Sequence, residues 1–387
     1  MKKLAVPEAI AVLIGTIIGA GVFTLPYVAV HSGLATTLIW LIIISFIITY
    51  LHLAFGEIVL RTKQDFCLPG YVGHYLNSSA KKFILLITFF TFSFSLLIYL
   101  LLGSQFLQVI LNSVWTNFSF PQGFLVIFLW LLFSSAILSK NKKLSRINFY
   151  LSFALLSLFF IIIIFALPRF EVGNINLFNF TNNWGWLIPY GVLFFALNGM
   201  VAIPEAAKVL EIKGEKKEKL KKVIIIGTFI PAFCYLVFIL AVAGASGSLT
   251  SLEAIQGLKG ILGNGIVLLG AILGFLAVST SYLIFASYIK SSFINDFKWS
   301  RFISYFLVII GPLLLYCLHV ENLVKLISFM GGMLGGLEGV MLVLVLKKAK
   351  QKGEVEPAYQ VPLNKVLIAV FIIALVIGAL CQTFLIY

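Results

Sequence analysis

The chain reads as an all-α polytopic membrane protein of about 11 transmembrane helices, built as a 5+5 inverted repeat plus one peripheral helix. Three observations predict this: the apolar composition, a series of windows long enough to cross a bilayer, and an echo between two distant stretches. Of the 387 residues, 61% are hydrophobic and only 11% charged, and the mean hydropathy is +1.09, which places the chain in the membrane class. The echo pairs Gly21-Val22-Phe23-Thr24-Leu25-Pro26 with Gly199-Met200-Val201-Ala202-Ile203-Pro204, 178 positions later.

A spanning helix needs about 20 mainly apolar residues. Span 1 is predicted at 6–30, and its length together with Gly15, Gly19 and Gly21 argues for an uncleaved span rather than a signal peptide after Met1-Lys2-Lys3. Spans 2 to 5 follow at 34–59, 83–113, 122–138 and 147–167, closing a first unit over 1–167. Spans 6 to 10 at 186–209, 223–246, 261–290, 301–317 and 321–346 make a second unit over 186–346. Span 11, 364–386 within a final segment 364–387, has no counterpart and is assigned to peripheral packing.

Adding 178 to spans 3, 4 and 5 lands on spans 8, 9 and 10, so the echo extends beyond the two motifs. Span 2 maps poorly, because a lysine-rich loop delays span 7 by about ten residues. Five crossings is an odd number, so the second unit enters from the opposite face, as in inverted-repeat transporters. Within spans 1 and 6, glycine loosens the helix and proline removes a backbone donor. Each orphan backbone group in lipid costs several kcal/mol, so such interruptions persist only against protein, water or ligand. The twin motifs therefore predict a mid-membrane binding site. The glycines of span 10 (Gly331, Gly332, Gly335, Gly336) and span 8 (Gly263, Gly265, Gly270, Gly274) are expected instead at tight helix crossings.

The net charge of +14 comes from position, not from nucleic-acid binding. Threaded with the N-terminus inside, 25 of the 28 Lys and Arg fall on one side, leaving only Arg169, Lys259 and Lys325 outside. The positive-inside rule then gives a cytoplasmic N-terminus and an external C-terminus in the cell membrane. The dense cluster Lys213 to Lys222 is expected to be a solvated helical loop. Cys67, Cys234, Cys317 and Cys381 show no paired or metal spacing, nor do His31, His52, His74 and His319. Neither a nucleophile elbow nor a phosphate loop occurs, so no enzyme, cofactor or obligate protein partner is expected. The partner that composition predicts is the bilayer.

Ile14-Gly15-Thr16-Ile17-Ile18-Gly19-Ala20-Gly21-Val22-Phe23-Thr24-Leu25-Pro26 resembles the first helix of permeases in the amino acid–polyamine–organocation superfamily, particularly the aromatic amino acid permeases and their amino acid/auxin relatives. Phe194 to Glu205 is similar to the interrupted sixth helix of that superfamily, and Ala277-Val278-Ser279-Thr280-Ser281-Tyr282-Leu283 to its Thr-Ser element. The resemblance implies a LeuT-type fold with substrate between the two interrupted helices. A zwitterion placed there would set its carboxylate on freed amides at Ala20 and Gly21 and on the positive end of the following half-helix, with Gly19 beside them in the substrate site. Its ammonium would meet carbonyls around Ile17, Phe194, Phe195 and Leu197, with Asn198 and Gly199 completing the substrate site. Asn198 has two readings: contact with the substrate side chain, or a bridge across the helix break.

The coupling ion is expected to be sodium or a proton. Sodium-coupled members of the fold imply an oxygen site at Gly15, Ile18, Ala277, Thr280 and Ser281, suited to a hard cation. The competing reading is that such hydroxyls bond their own backbone one turn back. Span 5 carries no Lys, Arg, Asp, Glu or His, which disfavours relatives that couple protons through a basic residue there. A buried carboxylate is the other route, because an ionised acid at the bilayer centre costs roughly 2.5–3.5 kcal/mol. Glu57, four residues before Arg61, reads as an ion pair; Glu205 and then Glu338 are the candidates for gating or proton coupling.

With no fixed charge in the expected pocket, a neutral substrate is favoured, with an aromatic or large aliphatic side chain preferred from Phe89, Phe90, Phe92, Phe94 and Tyr99 in span 3. The leading function is import of such an amino acid by ion-coupled alternating access. The alternative is a sensor or germinant-receptor-like subunit that binds without transport.

Overall fold

The computed structural model describes residues 5–114, 120–138, 154–179 apart from 155 and 158, 185–364 apart from 216 and 321, and 368, 369, 372, 373, 375, 376 and 378. Residues 147–153 of predicted span 5, most of 364–386, the cations of 140–146, Met1-Lys2-Lys3, Cys381 and Tyr387 lie outside these residues. Among the described residues every regular element is helical. Among these residues six helices are long and apolar enough to cross a membrane, and the pair Ala5–Ile17 and Ala20–Ser32, bent by 48°, adds a seventh if it forms one span. Shorter apolar helices occupy Gln122–Leu138, Phe159–Arg169 and Arg301–Cys317.

Spans 4 and 9 have the predicted limits, whereas span 3 (Ser78–Val114), span 7 (Lys219–Ser246) and span 10 (Leu323 to Lys352) run longer at one end. A short helix, Leu68–Tyr75, which the hydropathy windows did not reveal, links spans 2 and 3. In span 2 (Leu34–Arg61), Ile42 and Phe46 point outward while Ile44, Ile48, Leu51 and Phe55 are buried. The face that meets lipid is thus as apolar as the face that meets protein.

Two groups of helices follow from the contacts. Spans 1, 2, 6 and 7 pack on one another; spans 3, 4, 8 and 9 form a second set, and span 10 touches both. Glycines make the closest crossings. A Cβ on Gly331 would overlap the carbonyl of Gly191, and one on Gly191 would overlap that of Ser328, so spans 6 and 10 meet backbone to backbone. In span 8, Gly270 lies against Ile255 and Gly274 against Phe106. Gly263 and Gly265 depart from the packing expectation: neither has a described neighbour within 4 Å of a built Cβ. Gly263 is instead required for its φ of 81° at the start of span 8 (Asn264–Ser291).

Glu57 is fully buried and paired with Arg61 (2.8 Å) and Lys350 (3.0 Å), and it accepts the Val361 N–H. It therefore ties span 2 to the end of span 10 and to the segment that follows, adding a second cation to the pair expected from the sequence. Glu57→Gln leaves Arg61 and Lys350 without their counter-charge, which costs about 3–5 kcal/mol for a buried network. A marked fall in the melting temperature of detergent-solubilised protein is the expected result.

Candidate functional site

The first interruption falls two residues before Gly21. Ala5–Ile17 ends where Gly19 N–H turns to Ile17 O (2.8 Å), away from Gly15 O, its helical acceptor. A 3-10 turn, Ala20–Thr24, leads into Leu25–Ser32, with Pro26 in its first turn. In span 6, Ile188–Leu197 gives way to Asn198 (ψ 110°) and Gly199, then a 3-10 turn Met200–Ala202 and the helix Ile203–Ile212 with Pro204 in its first turn. Both second halves begin 178 residues apart, at Leu25 and Ile203. The prolines start these halves, at positions where a missing N–H costs nothing.

The two breaks touch. A Cβ on Gly21 would lie 2.8 Å from Ala196 Cα, and one on Gly199 would lie 2.5 Å from Ile17 Cγ1. Freed backbone groups are partly satisfied inside the protein. Asn198 N–H goes to Phe195 O (3.2 Å), which leaves Phe194 O without its helical donor, and Asn198 Oδ1 accepts Met200 N–H (3.1 Å). Asn198 therefore bridges the break and also lines a cavity. Gly199 N–H donates to His52 Nε2 (3.0 Å). The Tyr235 hydroxyl lies within reach of both Ile17 O (2.7 Å) and Ala196 O (3.1 Å). Neither His52 nor Tyr235 was singled out from the sequence for a site.

The cavity beside the span 6 break measures about 40 Å³. Phe195, Asn198 and Val201 form one wall; Thr88, Thr91, Phe92 and Ser95 of span 3 face Phe285 and Tyr288 of span 8, and Gly335 and Glu338 of span 10 complete it. Glu338 is 4% exposed, and its Oε1 and Thr88 Oγ1 have no hydrogen-bond partner among the described residues. No cation lies within ion-pair distance of Glu338 among those residues. Of the span 3 aromatics, Phe92 lines this cavity, Tyr99 packs on Phe195 and Phe285, and Phe90 is exposed. The volume is well below the roughly 300 Å³ at which ligand pockets begin, so a small-molecule ligand would enter only if the rim moved.

A second cavity of about 450 Å³ opens on the side of the N-terminus. The first half of span 1 (Val12, Gly15, Thr16) and the second half of span 6 (Glu205, Lys208) form its walls with the end of span 8 (Ser287, Asp296). Glu205 is exposed there, one turn from Lys208, which pairs with Asp65 (3.1 Å). Burial, reinforced by nearby Asp296, pushes the Cys67 thiol on this wall above its usual range. Val201 and Tyr288 line both cavities and so separate them; Tyr288 is held by the Leu68 N–H (3.0 Å) and stacks on Phe92. On the far side of the break, Phe23, Phe106, Phe159 and Phe238 form an aromatic plug.

The sequence-derived ion residues are brought to the first break in part. Ser281 Oγ lies 3.1 Å from where a Gly19 Cβ would be, and Gly15 O has lost its helical donor. Thr280 Oγ1 bonds its own backbone at Leu276 O and Ala277 O. Carbonyl and hydroxyl oxygens at Gly15, Ile18 and Ser281 are of the type that holds a hard cation. Ile17 O and Phe195 O are already engaged by protein donors. Among the described residues no cluster of three His, Cys, Asp or Glu side chains forms a metal centre.

The chain belongs to the tryptophan/tyrosine permease family, whose signature matches residues 2–382. It is 26% identical over 235 residues to "Glutamine transporter 2" of Aliivibrio fischeri, a match over 60% of this chain and 59% of that one. The chain thus aligns with less than two thirds of that relative. Among solved structures it is similar to inward-facing Mhp1 (12% identity, TM-score 0.68, covering 97% of this chain and 88% of the other). It is also similar to Mhp1, a nucleobase-cation-symport-1 family transporter, closed around bromovinylhydantoin (12%, 0.65, covering 98% and 90%). MhsT in complex with L-phenylalanine is a further match (16%, 0.64, covering 97% of each). These likenesses concern fold, which is that of LeuT-type transporters. The resemblance read from the first and sixth helices thus holds at the level of family: this is a multi-pass member of the tryptophan/tyrosine permease family.

Proposed function

We propose that the protein is a secondary active transporter that imports a neutral amino acid, aromatic or large aliphatic, by ion-coupled alternating access. The observation that carries this reading is the contact between two interrupted helices beside a cavity that is walled off from a wider vestibule. With the N-terminus cytoplasmic in the cell membrane, the vestibule faces inward and the Phe23 plug closes the outer path. The equivalent starts of the second halves at Leu25 and Ile203 support two inverted units, 1–167 and 186–346, with 364–387 peripheral.

The substrate carboxylate is assigned to amides at Ala20 and Gly21, since the Gly19 N–H is already turned to Ile17 O, and its ammonium to Phe194 O and Leu197 O, with the side chain toward Phe195, Asn198 and Phe285. Aromatic rims from Tyr99, Phe92 and Tyr288 support a large apolar side chain. Two coupling routes remain distinct in space: sodium at Gly15, Ile18, Ala277, Thr280 and Ser281, or a proton on Glu338. Glu205, in the vestibule wall, is assigned to the inner gate.

Uptake in proteoliposomes under imposed sodium or proton gradients tests the scheme. Glu205→Gln, which removes the negative charge from the vestibule wall one turn from Lys208, is expected to slow uptake several-fold; unchanged uptake would remove Glu205 from the gate. Counterflow of labelled substrate separates transport from sensing, since binding without exchange supports a sensor.

A further inference from the structure

The two breaks are held from behind by three side chains that the transport reading does not use. His52 of span 2 is fully buried and accepts the Gly199 N–H at Nε2. Its Nδ1 lies 2.9 Å from Thr228 Oγ1 of span 7, and that hydroxyl donates to Ile224 O (2.8 Å). Because Nε2 must offer a lone pair, the ring proton sits on Nδ1. The donors then run one way, from Gly199 through His52 and Thr228 to Ile224, with every group satisfied. His52 supplies the acceptor that Gly199 lost when Phe195 O was taken by Asn198.

Seven residues after Thr228, and so on the same face of span 7, Tyr235 reaches both breaks at once. Its hydroxyl has one proton for two carbonyls. Ile17 ends the half-helix Ala5–Ile17 that walls the vestibule, whereas Ala196 belongs to the first half of span 6. Should Ile17 move away, the same proton passes wholly to Ala196 O, and no donor is orphaned in the membrane. Gly227, beside Thr228, lets Leu13 of that moving half-helix pack against span 7.

We propose that His52 and Tyr235 are positioning residues for alternating access. His52 fixes the span 6 break as a static pivot, while Tyr235 holds the first half of span 1 in the vestibule-open arrangement through a transferable hydrogen bond. This rests on the alternating-access reading above, and its test does not require transport.

Ser287, in the vestibule wall, is replaced by cysteine in a background with Cys67, Cys234, Cys317 and Cys381 changed to serine. The rate of labelling by a membrane-permeant maleimide in proteoliposomes then reads vestibule opening. Tyr235→Phe keeps the ring and removes the donor, so labelling is expected to slow roughly 3- to 10-fold, the change one neutral hydrogen bond makes to a two-state equilibrium. His52→Gln retains an acceptor and a donor and is expected to label within about twofold of the parent, whereas His52→Leu orphans the Gly199 amide and departs from it by more than that. Parental labelling in a folded Tyr235→Phe protein overturns the Tyr235 assignment, and equal behaviour of the Gln and Leu variants overturns that of His52. Failure of transport itself shows separately, as absent counterflow in the parent.

Discussion

Glu338→Gln is expected to lower accumulation of substrate under a proton gradient by on the order of 10- to 100-fold while leaving exchange of substrate across the membrane measurable. The carboxyl is enclosed between spans 3, 6, 8 and 10, and among the described residues its Oε1 has no hydrogen-bond partner and no cation neutralises it. An acid at that depth costs roughly 2.5–3.5 kcal/mol to ionise, about two orders of magnitude in population. On the proton route proposed above, Glu338 carries its proton while the cavity is closed and gives it up when the Val201 and Tyr288 wall opens to the vestibule. Glutamine mimics the protonated form permanently. The loaded carrier still cycles, but the empty one has no proton to give up, so proton-driven accumulation falls by on the order of 10- to 100-fold with counterflow retained. Full accumulation by the variant under a proton gradient removes Glu338 from the coupling step. Accumulation by both proteins under a sodium gradient alone assigns coupling to the oxygens around Gly15, Ile18 and Ser281.

The breaks were legible because glycine and proline are among the few residues at which a membrane helix yields, and two such motifs at one spacing point to one architecture. Their meaning was less so. Pro26 and Pro204 begin helices, and Gly21 marks a close contact with Ala196 while the chain turns at Gly19. A sequence shows where a side chain is missing, but whether the space serves a turn or a neighbour depends on what packs there. Helix faces were hidden for a related reason: in lipid the outward residues of span 2, such as Phe46, are as apolar as the inward ones. The helix Leu68–Tyr75 is too short and mixed for a hydropathy window. His52 does carry a signal, since an ionisable side chain within an apolar span is a functional suspect on energetic grounds even where its spacing from other histidines suggests no metal. Tyr235 offered no such signal among 14 tyrosines.

Gly331→Ala is expected to have the largest effect on the fold itself. The added methyl has nowhere to go, because it would overlap Gly191 O and lie 2.7 Å from Phe195 N, both backbone atoms of span 6. A flexible side chain at such a contact swings aside; a carbonyl within a hydrogen-bonded helix does so only by moving the helix. Overpacking of well-packed interiors costs about 1–3 kcal/mol even where side chains can adjust, and more is expected where backbone must move. Separation of span 10 from span 6 would also displace Phe195 and Glu338 relative to each other, since the two helices supply facing parts of the small cavity. Loss of stability and of substrate binding should therefore appear together, as a lower melting temperature and an absent thermal shift with amino acids. Gly265→Ala is the matched control: it changes the same residue type where no described atom lies within 4 Å, and near-parental stability and binding are expected. Equal tolerance of the two substitutions would mean that spans 6 and 10 do not meet through their backbones.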